Sequence, residues 1–266
     1  MSPKPQPLSL LNQLAKRRRD LEDHFRESFL LDEVAAQRLC RDLRVAAGNN
    51  GQSEQVRGAL FHELAYVEAL RGNQQSALDY IVKAELSGLN ELSITLSRAY
   101  LFSMFGRFLD ARTTLESCSI QDSPESSYGA FRGLCEEVGM YSVASNIEIK
   151  DHPTEYLSKD AHCILESFGI DDLEVTTRLD FAAAIVTARA KHRLLAYDLF
   201  AMEGEGILFR FVVDAAPDEL LKLDWDISEA IAEKFDGPLD TILSIGIKPF
   251  SKGERHFEYG AYHAHI

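Results

Sequence analysis

The stretch AYVEALRGNQQSALDYIVKA (65–84) returns 34 residues later as AYLFSMFGRFLDARTTLESC (99–118), in register at Ala65/Ala99, Tyr66/Tyr100, Gly72/Gly106 and Ala77/Ala111. A looser third copy follows after 33 residues, carried by Phe131, Cys135, Gly139, Tyr141 and Ala144. A period of this length holds two helices and a turn. Glycine suits the left-handed conformation that ends a helix. Alanine at a crossing point lets two helices approach while larger neighbours fill the groove beside it. The repeat therefore predicts stacked antiparallel helix pairs, with Ala77 and Ala111 buried and with Gly72 and Gly106 each between two paired helices.

These residues resemble the tetratricopeptide repeat. The first copy matches at Phe61, Leu64, Ala65, Gly72, Ala77, Ile81 and Ala84, and the second at Ala99, Phe102, Gly106, Phe108, Ala111, Leu115 and Cys118. The resemblance spans about residues 58–151 and lacks the proline that often closes each family repeat. It implies a superhelical array whose concave groove takes a peptide or protein. Carried onto this sequence, the groove positions are His62 and Tyr66 in the first copy, Tyr100 and Ser103 in the second, and Glu136 in the third. Tyr66 and Tyr100 occupy the same repeat position, and aromatic side chains make efficient anchors for a ligand. Both are expected to be partly exposed.

Residues 8–29 and 32–47 carry helical periodicity, and GNNGQSEQ (48–55) reads as a loop. Periodicity resumes over 161–168 and about 173–194, where the helices could cap the array. The pattern then changes. AYDLFAMEGEGILFRFVVD (196–214) reads as a β-hairpin turning at Gly204–Gly206, Pro217 to Phe235 as a helix, and DTILSIGIKPF (240–250) as a third strand. The expected fold class is mainly α, a TPR-like antiparallel helical repeat array followed by a small α+β (ββαβ) module. The expected segments are N-terminal helices (1–57), repeats with capping helices (58–194), and module and tail (195–266).

Residues 195–250 hold twelve acids against four bases, a net of −8 within a chain of net charge −14. Binding nucleic acid needs cations to displace counterions from phosphates, and the only concentrated basic run is KRRR (16–19), read as a solvated helix face. No apolar stretch approaches the roughly 18 residues of a membrane span, and the N-terminus lacks the order of a secretory signal. No nucleic acid and no membrane are expected as partners, and the location expected is cytoplasmic. Cys40, Cys118, Cys135 and Cys163 form no C-x-x-C and read as small structural hydrophobes.

Nucleophile elbows, P-loops and dinucleotide fingerprints are missing from the sequence, and the acid pairs Asp171-Asp172 and Asp224-x-Asp226 read as helix-start caps. His256, His263 and His265 sit in a terminal tail, a poor place for fixed coordination. No catalytic residue, metal ligand or cofactor is expected. The function expected is binding of a protein or peptide partner through the groove, as an adaptor, chaperone-like or regulatory protein. Two alternatives stand beside it. One is an enzyme with its site between the array and the module. The other is an inhibitory or immunity-type partner docking through the acidic module, with Asp224, Asp226 and Glu229 as the surface to test.

Overall fold

The computed structural model describes residues 9–120, 127–147, 157–190 and 192–252. Among these it holds eleven helices and a three-stranded sheet, mainly α with a small α+β module. No described helix is long and apolar enough to cross a membrane. The tail histidines lie outside the described residues. The chain separates into two compact units, one running to Ile94 and the other starting at Thr95. That boundary falls within a helix rather than at 57/58 or 194/195, because the 48–55 loop joins helices of one unit and the sheet shares its core with helices of the other.

The first unit contains α1 (Leu10–Ser28), α2 (Glu33–Ala47), α3 (Glu54–Leu70) and α4 (Gln74–Leu86), and ends in the start of α5 (Glu91–Met104). Ser9, Asp32 and Ser53 accept backbone N–H bonds at the first three helix starts, as N-caps do. Helix α3 is central and buried on nearly all sides. It packs closely on α4 because both offer small residues: Ala77, Ile81 and Ala84 are buried, and a Cβ at Gly58 would lie 3.2 Å from the Ala84 carbonyl oxygen. The buried Glu68 carboxylate gathers donors from α2 and from the turn after α3: Arg44, Arg71 at 3.0 Å and Asn73 at 2.6 Å. The Cys40 thiol lies 3.5 Å from the same carboxylate. Burial, then Glu68, pushes that thiol up to about 11, so Cys40 behaves as an inert core group.

The second unit continues with α6 (Phe108–Glu116), α7 (Tyr128–Glu137), α8 (Tyr141–Ser145), α9 (Leu157–Ser167) and α10 (Asp172–Arg189). The repeat governs the turns within both units. Gly72, Gly106 and Gly139 all have positive φ, and after each the next N–H reaches back five residues: Asn73 to Glu68, Arg107 to Phe102 and Met140 to Cys135. Ala77, Ala111 and Ala144 are buried, as the repeat predicts.

Helix α10 crosses two of these turns. A Cβ on Gly139 would meet Val175 and Leu179, and one on Gly106 would meet Ala183 and Thr187. The same residue step separates the carboxylates that cap the following helices. Asp172 accepts from the Ser142 N–H of α8 at 2.7 Å, and Asp180 from the Leu109 N–H of α6 at 3.1 Å. Neither α6 nor α8 has a side-chain cap of its own. The eight-residue step corresponds to about 12 Å of helix. One helix thus fits two successive repeats.

Strands β1 (Tyr197–Met202), β2 (Gly206–Val213) and β3 (Leu243–Pro249) form the sheet in that order, β1–β2 antiparallel and β2–β3 parallel. The hairpin turns at Glu203–Glu205 as its glycines predict. Gly206 has φ 101°, and a Cβ there would lie 2.6 Å from the Ile242 carbonyl oxygen, which accepts the neighbouring Ile207 N–H. One sheet face is core: Tyr197 stacks on Phe209 at 5.2 Å, and Phe211 meets Phe108 of α6 at 5.9 Å. The crossover helix α11 (Pro217–Lys234) buries Leu220, Leu223 and Ile227. It is tied to α10 by Arg189 on Asp226, and Arg178 bonds Asp240 beyond its end at 3.0 Å.

Candidate interaction surface

The five groove positions are all buried. Tyr66 is 1% exposed and Tyr100 5%, which corrects the expectation of exposed aromatic anchors. In the first unit the cause is α1. Its Arg18 lies on α3, with the guanidinium 5.1 Å from the Tyr66 ring centre and Nε 2.8 Å from Glu63, while Glu22 accepts from Arg18 and, at 3.1 Å, from Arg26. His62 packs edge-on to Tyr66 at 5.0 Å. Burial works against the Arg18 charge, but Glu63 and Glu22 outweigh it and raise its pKa above the ordinary value. In the second unit the Ser103 hydroxyl turns back to the Tyr100 carbonyl at 3.2 Å, and Glu136 is also enclosed. The structure thus brings His62 with Tyr66 and Tyr100 with Ser103, each pair inside packed helices.

The KRRR run forms the solvated face read from the sequence at Lys16 and Arg17, both exposed, and departs from it at Arg18. Arg18 is buried, Lys16 pairs with Asp20, and Arg17 reaches Asp42 at 2.9 Å.

Between α9 and the hairpin turn, where the enzyme alternative needs its site, lies a cleft of about 640 Å³ lined by Asp160, Cys163, Phe168, Glu203 and Glu205, among others. Among the described residues no group of three or more His, Cys, Asp or Glu could hold a metal ion.

The outer face of the sheet and the outer flank of α11 remain. On the sheet, Asp198 accepts from Arg210 at 2.9 Å and from Lys248 at 3.2 Å. Burial would raise the Asp198 pKa, but those two cations overcome it and hold the carboxyl below its usual range. Phe200 and Met202 are exposed beside this cluster. On α11, Asp224 and Asp226 lie in mid-helix rather than at its start, and both are committed. Asp224 accepts the Ile247 N–H at 2.8 Å, and Asp226 pairs with Arg189.

What α11 does expose is Leu221, at 71%, and Trp225, at 70%. They stand one turn apart, flanked by exposed Asp218, Lys222, Glu229 and Glu233. Sequence reading passed over this pair, because Leu220, Leu223 and Ile227 already account for an inward face. The available signal was a helix apolar on two faces, with the only tryptophan of the chain on the second. Comparison with known protein families, curated proteins and solved structures gives no match.

Proposed function

We propose that this chain is a protein-binding protein, adaptor or regulatory in kind, in which TPR-like helix pairs support a docking surface on the α+β module. The observation that carries the reading is the exposure of Leu221 and Trp225 side by side. Single exposed apolar residues are ordinary on protein surfaces, and this chain has several, including Leu30 and Val45, while Val82 and Leu86 form an exposed aliphatic pair on α4. A Leu–Trp pair one turn apart is different, because tryptophan is enriched among residues that dominate binding energy. Burying the leucine alone is worth roughly 1.5–3 kcal/mol. The inward Tyr66 and Tyr100 act as scaffold in this reading, and an inhibitory or immunity-type role is one form of it. Buried free thiols at Cys40 and Cys135 fit a cytoplasmic setting.

The test is capture from native extract with the wild-type chain and with Leu221→Ala/Trp225→Ala. Both side chains are exposed, so the variant should fold as the parent does, as circular dichroism would verify. A partner retained by wild type and lost by the variant supports the reading, whereas identical captured sets refute it.

A further inference from the structure

Building on that reading, we infer that the partner presents a basic amphipathic helix that lies along α11. The shape argument comes from spacing. Asp218, Leu221, Trp225, Ser228 and Ala232 follow one another at alternate steps of three and four, and all are exposed. That alternation keeps a stripe facing a second helix in helix–helix seams. Leucine and tryptophan fill the middle of the stripe, and the small Ser228 and Ala232 leave room for larger side chains from an opposing helix. With 18 residues, α11 is about 27 Å long, enough for several turns of contact.

The charge argument selects the occupant. Asp218 lies in the stripe, Glu229 and Glu233 lie beside it, and Lys222 is the one exposed cation among these neighbours. Asp224 and Asp226 are held inside the module by Ile247 and Arg189, and Glu219 accepts the Ala216 N–H at 3.3 Å, so the acids along the stripe available to a partner are Asp218, Glu229 and Glu233. A second copy of this face would bring three carboxylates and one cation against the same set, a net repulsion, and an anionic lipid surface would be repelled in the same way. A helix with apolar residues in its centre and Lys or Arg beside them satisfies both the stripe and its flanks. Its association would be fast and weakened by salt.

Trp225 is the only tryptophan of the chain, so intrinsic fluorescence reports on this site without a label. The probes are a Leu/Lys amphipathic peptide of about 18 residues, long enough to hold a helix, the same peptide with Glu for Lys, and phosphatidylserine vesicles. The Leu/Lys peptide should give a saturable blue shift, with affinity about tenfold lower when salt rises from roughly 0.05 to 0.5 M. The Leu/Glu peptide and the vesicles should leave the emission unchanged. Glu229→Lys/Glu233→Lys should weaken Leu/Lys binding at least tenfold, while the equal reversal Asp23→Lys/Glu27→Lys on α1 should leave it unaltered. Leu221→Ser keeps the fluorophore and should lose most of the affinity.

Equal responses to both peptides would overturn the inference. So would a shift produced by vesicles or by concentrating the protein alone, or equal loss from both charge reversals. If the Leu/Lys peptide is silent while the natural partner still depends on Leu221 and Trp225 for capture, the basic helix is wrong and the docking face stands. If partner capture is also indifferent to those residues, both fall.

Discussion

Replacing Arg18 with methionine would leave Glu22 and Glu63 buried without their shared cation. Removing one partner of a buried ion pair costs roughly 3–5 kcal/mol, so Arg18→Met should lower the urea midpoint clearly, although methionine fills much of the same volume. At Gly246 a Cβ would stand 2.7 Å from Asp224 Oδ1, so Gly246→Ala should push that carboxylate off the Ile247 N–H. The expected cost is about 1–3 kcal/mol in chemical denaturation. His192 sets a pH dependence. Its Nε2 accepts the Asp214 N–H at 3.0 Å and its Nδ1 meets the Arg193 carbonyl at 2.7 Å, an arrangement that requires the neutral ring with its proton on Nδ1. Burial lowers its pKa from the ordinary value of 6.5. The folded state therefore binds fewer protons than the unfolded one below that value. Stability from this group is complete above about pH 6.5 and is lost as acid carries the pH down through the folded pKa. The loss of urea midpoint between about pH 7 and pH 5 should be smaller in His192→Gln.

At the scale of elements, α10 organises the second unit. Asp172→Ala and Asp180→Ala should each cost about 1 kcal/mol, the usual worth of a lost helix cap, and the effects should be nearly additive because they act on different helices. Thermal denaturation of the two single variants and the double variant checks this. Such elements differ in how far the sequence shows them. The helix pairs were legible because Gly72, Gly106 and Gly139 mark turns that only a left-handed residue closes well. The hairpin and third strand were legible because apolar runs met glycine turns. The role of α10 was not: a cap on another helix is a tertiary bond, and Asp172 beside the true N-cap Asp171 has the pattern of a local one. The groove failed for a related reason. Periodicity shows that Arg18 lies on a helix, but not that α1 sets it against Tyr66.

For the whole molecule, charge is the clearest property to test. Trp225 stands among Asp218, Lys222, Glu229 and Glu233, a net negative set, so the local potential should attract cations and repel anions. Its emission should be that of an exposed indole, quenched freely by acrylamide and more by caesium than by iodide, with the two ions converging at high salt. Equal quenching by the two ions at low salt would contradict an acidic setting. The sheet has a consequence of another kind. Backbone groups alternate sides along a strand, and Phe250 donates to Val213 on the β2 side, so the Ile247 N–H points off the sheet. Asp224 takes that N–H, and α11 occupies the margin where a further strand would sit. A fibril grows only when each sheet can accept a neighbour on both margins. With the Ile247 N–H taken by a carboxylate and Pro249 offering none on the same margin, β3 is blunted against a further strand, and this sheet is a poor template for an open-ended polymer.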